Sequence, residues 1–190
     1  MLRGLLFTVI VRPRGAFVNC RNIGGLTMDT RTNKQNYYLD IADAVSERST
    51  CLRRKYGAII VRNDEILSTG YNGAPRGRKN CSDLGGCMRE KLGIPSGERY
   101  ELCRSVHAEA NAIISASRRD MIDAVLYLSG RDGHTDELLR DTTCCSMCRR
   151  MIINAGIKKV VARIGDRGEV AVTPVQEWID HDDTEPAVCV

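Results

Sequence analysis

Apolar and polar residues follow helical and strand periods in turn along the central part of the chain. Helix-like spacing occurs over 37–49, and two strand-like runs joined by only four residues predict a hairpin. The predicted strands are 57–61, 66–71, 124–129 and 159–164, and two further helices are predicted at 108–117 and 148–155. This alternation indicates a layered α/β fold with parallel strands and right-handed crossovers.

Two short motifs supply the candidate chemistry, His-Ala-Glu at 107–109 and Cys-Ser-Met-Cys at 145–148. Three zinc ligands of these types leave one coordination position free for water, as in catalytic zinc sites. The candidate ligands are His107, Cys145 and Cys148. Glu109 lies two residues after the histidine, where it could carry protons between water and substrate. Both motifs fall at predicted helix starts, which favour thiolate over thiol.

Each motif alone has an alternative explanation. A His-x-Glu sequence occurs by chance in many proteins, and a Cys-x-x-Cys pair also occurs in redox sites and structural zinc ribbons. The order of the motifs, their separation and their position at helix starts together favour metal-assisted hydrolysis.

The composition is that of a globular protein of ordinary size, with 190 residues, 43% hydrophobic and 27% charged. A net charge of +4 suits a small phosphorylated substrate but is too weak to indicate nucleic-acid binding. The absence of an apolar run of 18 residues argues against a membrane span. Nine cysteines without a convincing secretory signal indicate metal ligation in a reducing compartment, so a cytoplasmic location is predicted.

Three regions are predicted along the chain. Residues 1–27 are an N-terminal extension, either disordered or an upstream misread start, and Met28 would then open the functional chain. Residues 28–167 form the zinc-dependent domain, with a cysteine-bearing insert at 72–106. Residues 168–190 form a C-terminal tail that is predicted to contain a short helix followed by an irregular end. Trp178 in this tail is predicted to be a packing residue.

A second group of cysteines surrounds the insert. Its members are Cys51, Cys81, Cys87 and Cys103. Four thiolates suffice for a closed structural zinc site that would hold a long loop with little apolar content. The alternative is that some of them are buried or free thiols. The cysteines left over are Cys20, Cys144 and Cys189.

A glycine-dense turn at 70–79 carries three cations and could hold a nucleotide phosphate. A solvated basic loop is the alternative. Asn72 in the same segment could hydrogen-bond the sugar. The candidate substrate-binding residues are Asn72, Arg76, Arg78 and Ala108.

These residues resemble the deoxycytidylate deaminases, within the cytidine deaminase superfamily. The matching segments are CLRRKYGAIIV at 51–61, GYNGAPRG at 70–77, HAEANAI at 107–113, CSMC at 145–148 and IINAGI at 152–157, and together they span roughly 37–164. The resemblance implies a three-layer α/β/α cytidine deaminase-like fold with a mixed central sheet of about five strands. It also implies hydrolysis of dCMP, at a cyclic amidine C–N bond, to dUMP and ammonia.

The resemblance further implies residue roles and partners. His107, Cys145 and Cys148 would hold the catalytic zinc, and Glu109 would protonate N3 while water adds to C4. Family members with a second zinc place its ligands at positions matching the four cysteines around the insert. A homo-oligomer, often a hexamer, is implied, with dCTP as activator and dTTP as inhibitor.

Two features depart from the family pattern. Cys144 stands where the family usually has proline, so a Cys-x-x-x-Cys register competes with the pair Cys145 and Cys148. The stretch 130–143 is longer and more polar than the family's short connection, which affects the identity of the substrate. Alternative functions are deamination of another nucleotide or modified base, including adenosine in tRNA, or a non-catalytic zinc-stabilised nucleotide sensor. A sensor would not require Glu109.

Overall fold

Five strands and seven α-helices occur in the part of the chain that the computed structural model describes, residues 31–95 and 97–181. The strands are β1 (Arg54–Arg62), β2 (Glu65–Tyr71), β3 (Val125–Asp132), β4 (Lys159–Arg163) and β5 (Val170–Pro174). The helices are α1 (Lys34–Ser46), α2 (Cys81–Leu84), α3 (Met88–Lys91), α4 (Ala108–Ile114), α5 (Arg118–Met121), α6 (Ser146–Ala155) and α7 (Val175–Asp180). The predicted extension at 1–27, the end of the tail from 182, Cys20 and Cys189 lie outside the described residues.

The strands form one mixed sheet in the order β2-β1-β3-β4-β5. β1 pairs antiparallel with both β2 and β3, which confirms the predicted hairpin. β3 and β4 are parallel, and β5 runs antiparallel to β4 at the far edge. The chain therefore has the mixed five-stranded α/β fold that was predicted. None of the described helices is both long and apolar enough to cross a membrane.

Successive residues of β1 face opposite sides of the sheet, and each side has its own core. Ala58 and Ile60 pack in a core that includes residues of α4 and α6. Ile59 and Val61 pack in a second core with α1. This strand is buried on both faces because it is central and helices cover both sides, which produces the three layers.

Part of the predicted C-terminal tail contributes to the sheet. Val170–Pro174 forms the edge strand β5, whose residues are either half-buried or exposed. Trp178 on the following helix is partly buried against the core, in agreement with its predicted packing role.

Gly57 on β1 lies directly against α1 and leaves no space for a side chain. A Cβ atom there would be 2.0 Å from the Ala42 carbonyl oxygen and 2.5 Å from the Ser46 nitrogen. Both are backbone atoms, so the helix would have to move away from the sheet to relieve the overlap. We expect Gly57→Ala to lower the free energy of unfolding by about 1–3 kcal/mol in urea denaturation.

Gly86→Ala is the matched control for this substitution. Its new Cβ would meet only the end of the flexible Lys91 side chain, at 2.8 Å. A loss of stability as large as that of Gly57→Ala would contradict the packing explanation.

Candidate metal centre and catalytic pocket

His107, Cys145 and Cys148 come together where α4 and α6 begin. His107 directly precedes α4, Cys145 directly precedes α6, and Cys148 lies in the first turn of α6. The two helices contact each other on one side of the sheet. The His107 Nδ1 atom is 3.4 Å from the Sγ atom of each cysteine. All three ligand atoms lie within 4.8 Å of one another.

This donor set fits zinc. Tetrahedral coordination with Zn–S and Zn–N bonds of about 2.3 and 2.0 Å separates nitrogen and sulfur ligands by about 3.5 Å. The observed separations of 3.4 Å agree with that spacing. One imidazole and two thiolates leave a fourth position for water, which is the arrangement of a catalytic zinc site.

Burial and hydrogen bonds with neighbouring thiols shift the pKa values of His107, Cys145 and Cys148. A hydrogen bond from Cys148 lowers the pKa of Cys145 to about 4, and the same contact raises the pKa of Cys148. Burial opposes the charged form of His107, but hydrogen bonds with Cys103 and Cys145 outweigh it and raise the pKa of the imidazole to about 10. Metal ligands must be deprotonated, so zinc uptake releases these protons.

Glu109 lies in the first turn of α4 and lines the same pocket as His107. Its side chain is only 5% exposed, and this burial raises the pKa of the carboxyl group. A carboxyl group with a raised pKa can both accept and release a proton near neutral pH. Glu109 therefore has the position and the chemistry of a proton carrier.

Cys144 lies outside the ligand group. Its side chain is 2% exposed and belongs to the apolar core. Burial raises the pKa of the Cys144 thiol, and the neighbouring Glu109 carboxylate, which accepts a hydrogen bond from this thiol, raises it further. In the described part of the chain, the histidine groups with Cys145 and Cys148, so the structure forms the Cys-x-x-Cys register.

Cations dominate the charged groups of the pocket. Arg53, Arg54 and Arg89 line it, whereas Glu109 is the one carboxylate among the described lining residues. Sequence reasoning missed all three arginines. The Arg53-Arg54 pair at the start of β1 was a visible signal, but no pattern in the insert distinguished Arg89. The positive balance favours an anionic ligand.

Asn72 and Ala108, two of the predicted substrate-binding residues, line the pocket. The Asn72 carboxamide accepts hydrogen bonds from the Tyr56 nitrogen and the Ser49 hydroxyl, both at 2.7 Å. It also donates to the Arg54 carbonyl at 2.8 Å. These bonds join Ser49 and the start of β1 to the residue that follows β2, so Asn72 has a structural role in the pocket wall. Its contact with the sugar stays a prediction.

Arg76 and Arg78 do not reach the pocket. Both are exposed on the turn after β2, and neither belongs to the pocket lining. This placement does not support the predicted phosphate role of the glycine-dense turn. The pocket takes its positive charge from other segments.

The longer connection at 130–143 lies along the N-terminal end of β1. The Gly133 nitrogen donates to the Arg53 carbonyl at 2.9 Å. Lys55 contacts Asp136 at 2.7 Å, and Arg54 contacts Asp141 at 3.0 Å. Of this connection only Thr143 lines the pocket, so the expected enlarged polar wall is limited to one residue.

The four cysteines around the insert are neighbours without forming a tight group. Burial raises the pKa of Cys81, and the charges of Cys51, Cys103 and Cys87 add to this effect. Among the described residues, however, the only group of three or more whose ligand atoms all lie within 4.8 Å of one another is His107, Cys145 and Cys148. Cys51 and Cys103 also line the catalytic pocket.

A second zinc at these four thiols stays a prediction. Metal analysis of the purified protein should give about two zinc ions per chain, with the four thiols protected from modification. About one zinc per chain, together with free reaction of all four thiols, would exclude the second site.

Comparisons with known proteins agree with this centre. The family described as cytidine and deoxycytidylate deaminase zinc-binding region matches residues 32–164. The deoxycytidylate deaminase of Mycobacterium phage D29 is 36% identical over 137 residues, which cover 70% of this chain and 95% of that protein.

The deoxycytidylate deaminase of Schizosaccharomyces pombe is 35% identical over 131 residues. The match covers 69% of this chain but only 37% of the length of the yeast protein. The solved structure of the dCMP deaminase from cyanophage S-TIM5, in complex with dCMP and dUMP, is 28% identical, with a TM-score of 0.48 over 71% of this chain and 84% of that chain.

Proposed function

The chain belongs to the cytidine and deoxycytidylate deaminase zinc-binding family, and from this premise we propose that it hydrolyses dCMP to dUMP and ammonia. The observation that carries the proposal is the grouping of His107, Cys145 and Cys148 beside the buried Glu109. Relatives named deoxycytidylate deaminase in a yeast and a phage support dCMP as the substrate.

The residues of the site divide the work of the reaction. His107, Cys145 and Cys148 would hold zinc, which when bound supplies the Lewis acidity that makes water ionise near neutral pH. Glu109 would take a proton from the attacking water and deliver it to N3 of the pyrimidine. A second proton would pass from Glu109 to the departing ammonia. The burial of Glu109 keeps these protons within the pocket.

Further parts of the proposal concern partners and location. The three arginines of the pocket support a phosphorylated nucleotide over a nucleoside. A homo-oligomer regulated by dCTP and dTTP is proposed from the family resemblance. The seven described cysteines are all free thiols, which supports a reducing compartment such as the cytoplasm.

The test is ammonia release from a panel of substrates by the zinc-loaded protein, with and without dCTP and dTTP. The panel contains dCMP, CMP, deoxycytidine and tRNA. We expect dCMP to give the highest kcat/KM. Activity only toward adenosine in RNA, or binding without turnover, would refute the proposal.

A further inference from the structure

Arg89 is a buried cation that forms no direct ion pair with a carboxylate of the described residues. Its side chain, on α3 within the insert, is 6% exposed. The guanidinium donates from Nη2 to the Pro95 carbonyl at 2.6 Å, and its Cζ lies 4.5 Å from the centre of the Tyr100 ring. The Nε atom has no hydrogen-bond partner among the described residues. After the larger effect of Arg99, the charge of Arg89 also lowers the pKa of the Glu101 carboxyl group, so Glu101 compensates Arg89 in part. A buried cation without a direct ion pair favours an anion from outside the chain.

A second arginine lies beside the first. Arg53 donates from Nη1 to the Ile94 carbonyl at 3.1 Å, the peptide group next to the one that binds Arg89. The nearest carboxylate to Arg53 is that of Glu90, 3.9 Å from Nε. Both guanidinium groups line the pocket. Two neighbouring cations with so little compensation favour an anion with several acceptor oxygens.

The arginines belong to the same pocket as the metal centre but stand apart from it. The Tyr100 ring contacts both Arg89 and the metal centre, because the guanidinium lies over this ring and the His107 ring packs edge-on against it at 4.7 Å between centres. A bound molecule with one end at the metal centre could thus place an anionic group at the arginines. A nucleoside monophosphate carries a reactive base at one end and a charged group at the other.

We propose that Arg89, together with Arg53, binds the 5′-phosphate of the nucleotide. This inference rests on the proposed function, since it assigns one part of that substrate to named residues. The phosphate would then be recognised by Arg89 of the insert and by Arg53, and not by the glycine-dense turn.

The test compares Arg89→Gln with Arg99→Gln, an exposed arginine of the same insert. Loss of a charge-assisted hydrogen bond should lower kcat/KM for dCMP by about 10- to 100-fold and leave deoxycytidine turnover unchanged. Arg99→Gln should change neither. Equal losses for dCMP and deoxycytidine in Arg89→Gln would show a purely structural role and overturn the proposal.

Binding measurements separate this inference from the proposed function. Calorimetry on zinc-loaded protein should show that Arg89→Gln weakens the binding of dUMP by about 10- to 100-fold. The affinity for deoxyuridine should not change. This result would support the phosphate site even if the wild-type protein did not deaminate dCMP. Unchanged dUMP affinity in a folded Arg89→Gln variant would reject it. If Arg89→Gln does not fold, Arg53→Gln should show the same selective loss, and an unselective loss would reject the site.

Discussion

Replacing Glu109 by glutamine is expected to lower kcat for dCMP by about 10²- to 10⁴-fold, the usual contribution of a general acid-base group. Glutamine preserves the size and polarity of the side chain but cannot take up and return a proton. Glu109 is not one of the three grouped ligand residues, so zinc content should be unchanged. The measurement is steady-state ammonia release, with metal analysis and thermal melting on the same preparation.

The interpretation depends on the fold and metal content of the variant. Intact zinc, intact stability and lost turnover would identify Glu109 as the proton carrier. Unchanged turnover would remove this residue from the mechanism. Loss of zinc would show instead that its buried carboxylate supports the metal centre.

Cys145→Ser is expected to remove one zinc per chain and to reduce turnover by more than about 100-fold, the upper limit for losing a residue that only supports a metal ligand. The Cys145 sulfur lies 3.4 Å from the His107 nitrogen, within the ligand group. A hydrogen bond from Cys148 lowers the pKa of Cys145, which favours the thiolate that zinc requires. Serine lacks an accessible anion at neutral pH and binds zinc poorly. Metal analysis and ammonia release provide the readouts.

Cys144→Ala is the matched control, because it changes the adjacent cysteine. The Cys144 side chain is buried in the apolar core, so this variant should keep its zinc. A modest loss of stability is expected from the small cavity. Loss of zinc in Cys144→Ala together with retention of zinc in Cys145→Ser would show that Cys144, and not Cys145, is the zinc ligand.

The metal centre was accessible to sequence reasoning because its determinants are local. Both motifs start helices, and the spacing of Cys145 and Cys148 places both sulfurs at the first turn of one helix. The predicted helices placed both motifs at helix starts, and in the structure these two helices contact each other on one side of the sheet. Glu109 follows from the same motif, since it lies two residues after His107.

The remaining parts of the pocket depend on tertiary contacts. Arg89 becomes a buried cation only because the insert folds back against Tyr100 and the Pro95 carbonyl. Nothing in its neighbourhood in the sequence separates it from the exposed Arg99. The basic turn with Arg76 and Arg78 had the stronger pattern, yet that turn is exposed. Charge density in the sequence thus indicated an anionic ligand, but it drew attention to arginines that lie outside the pocket lining.

The edge strand β5 was missed for a different reason. Val170, Val172 and Thr173 are β-branched, which favours a strand, but the segment is short and its burial is incomplete. Its pairing with β4 supplies the stabilisation that its own sequence lacks.

The central claim is hydrolysis of dCMP by water at this metal centre. Its most direct test is incubation of the zinc-loaded protein with dCMP in oxygen-18 water, followed by mass spectrometry of the product. The proposed function predicts dUMP with one labelled oxygen at C4 and one ammonia released for each dUMP. Unconverted dCMP with folded, zinc-loaded protein, or dUMP without the label, would contradict it.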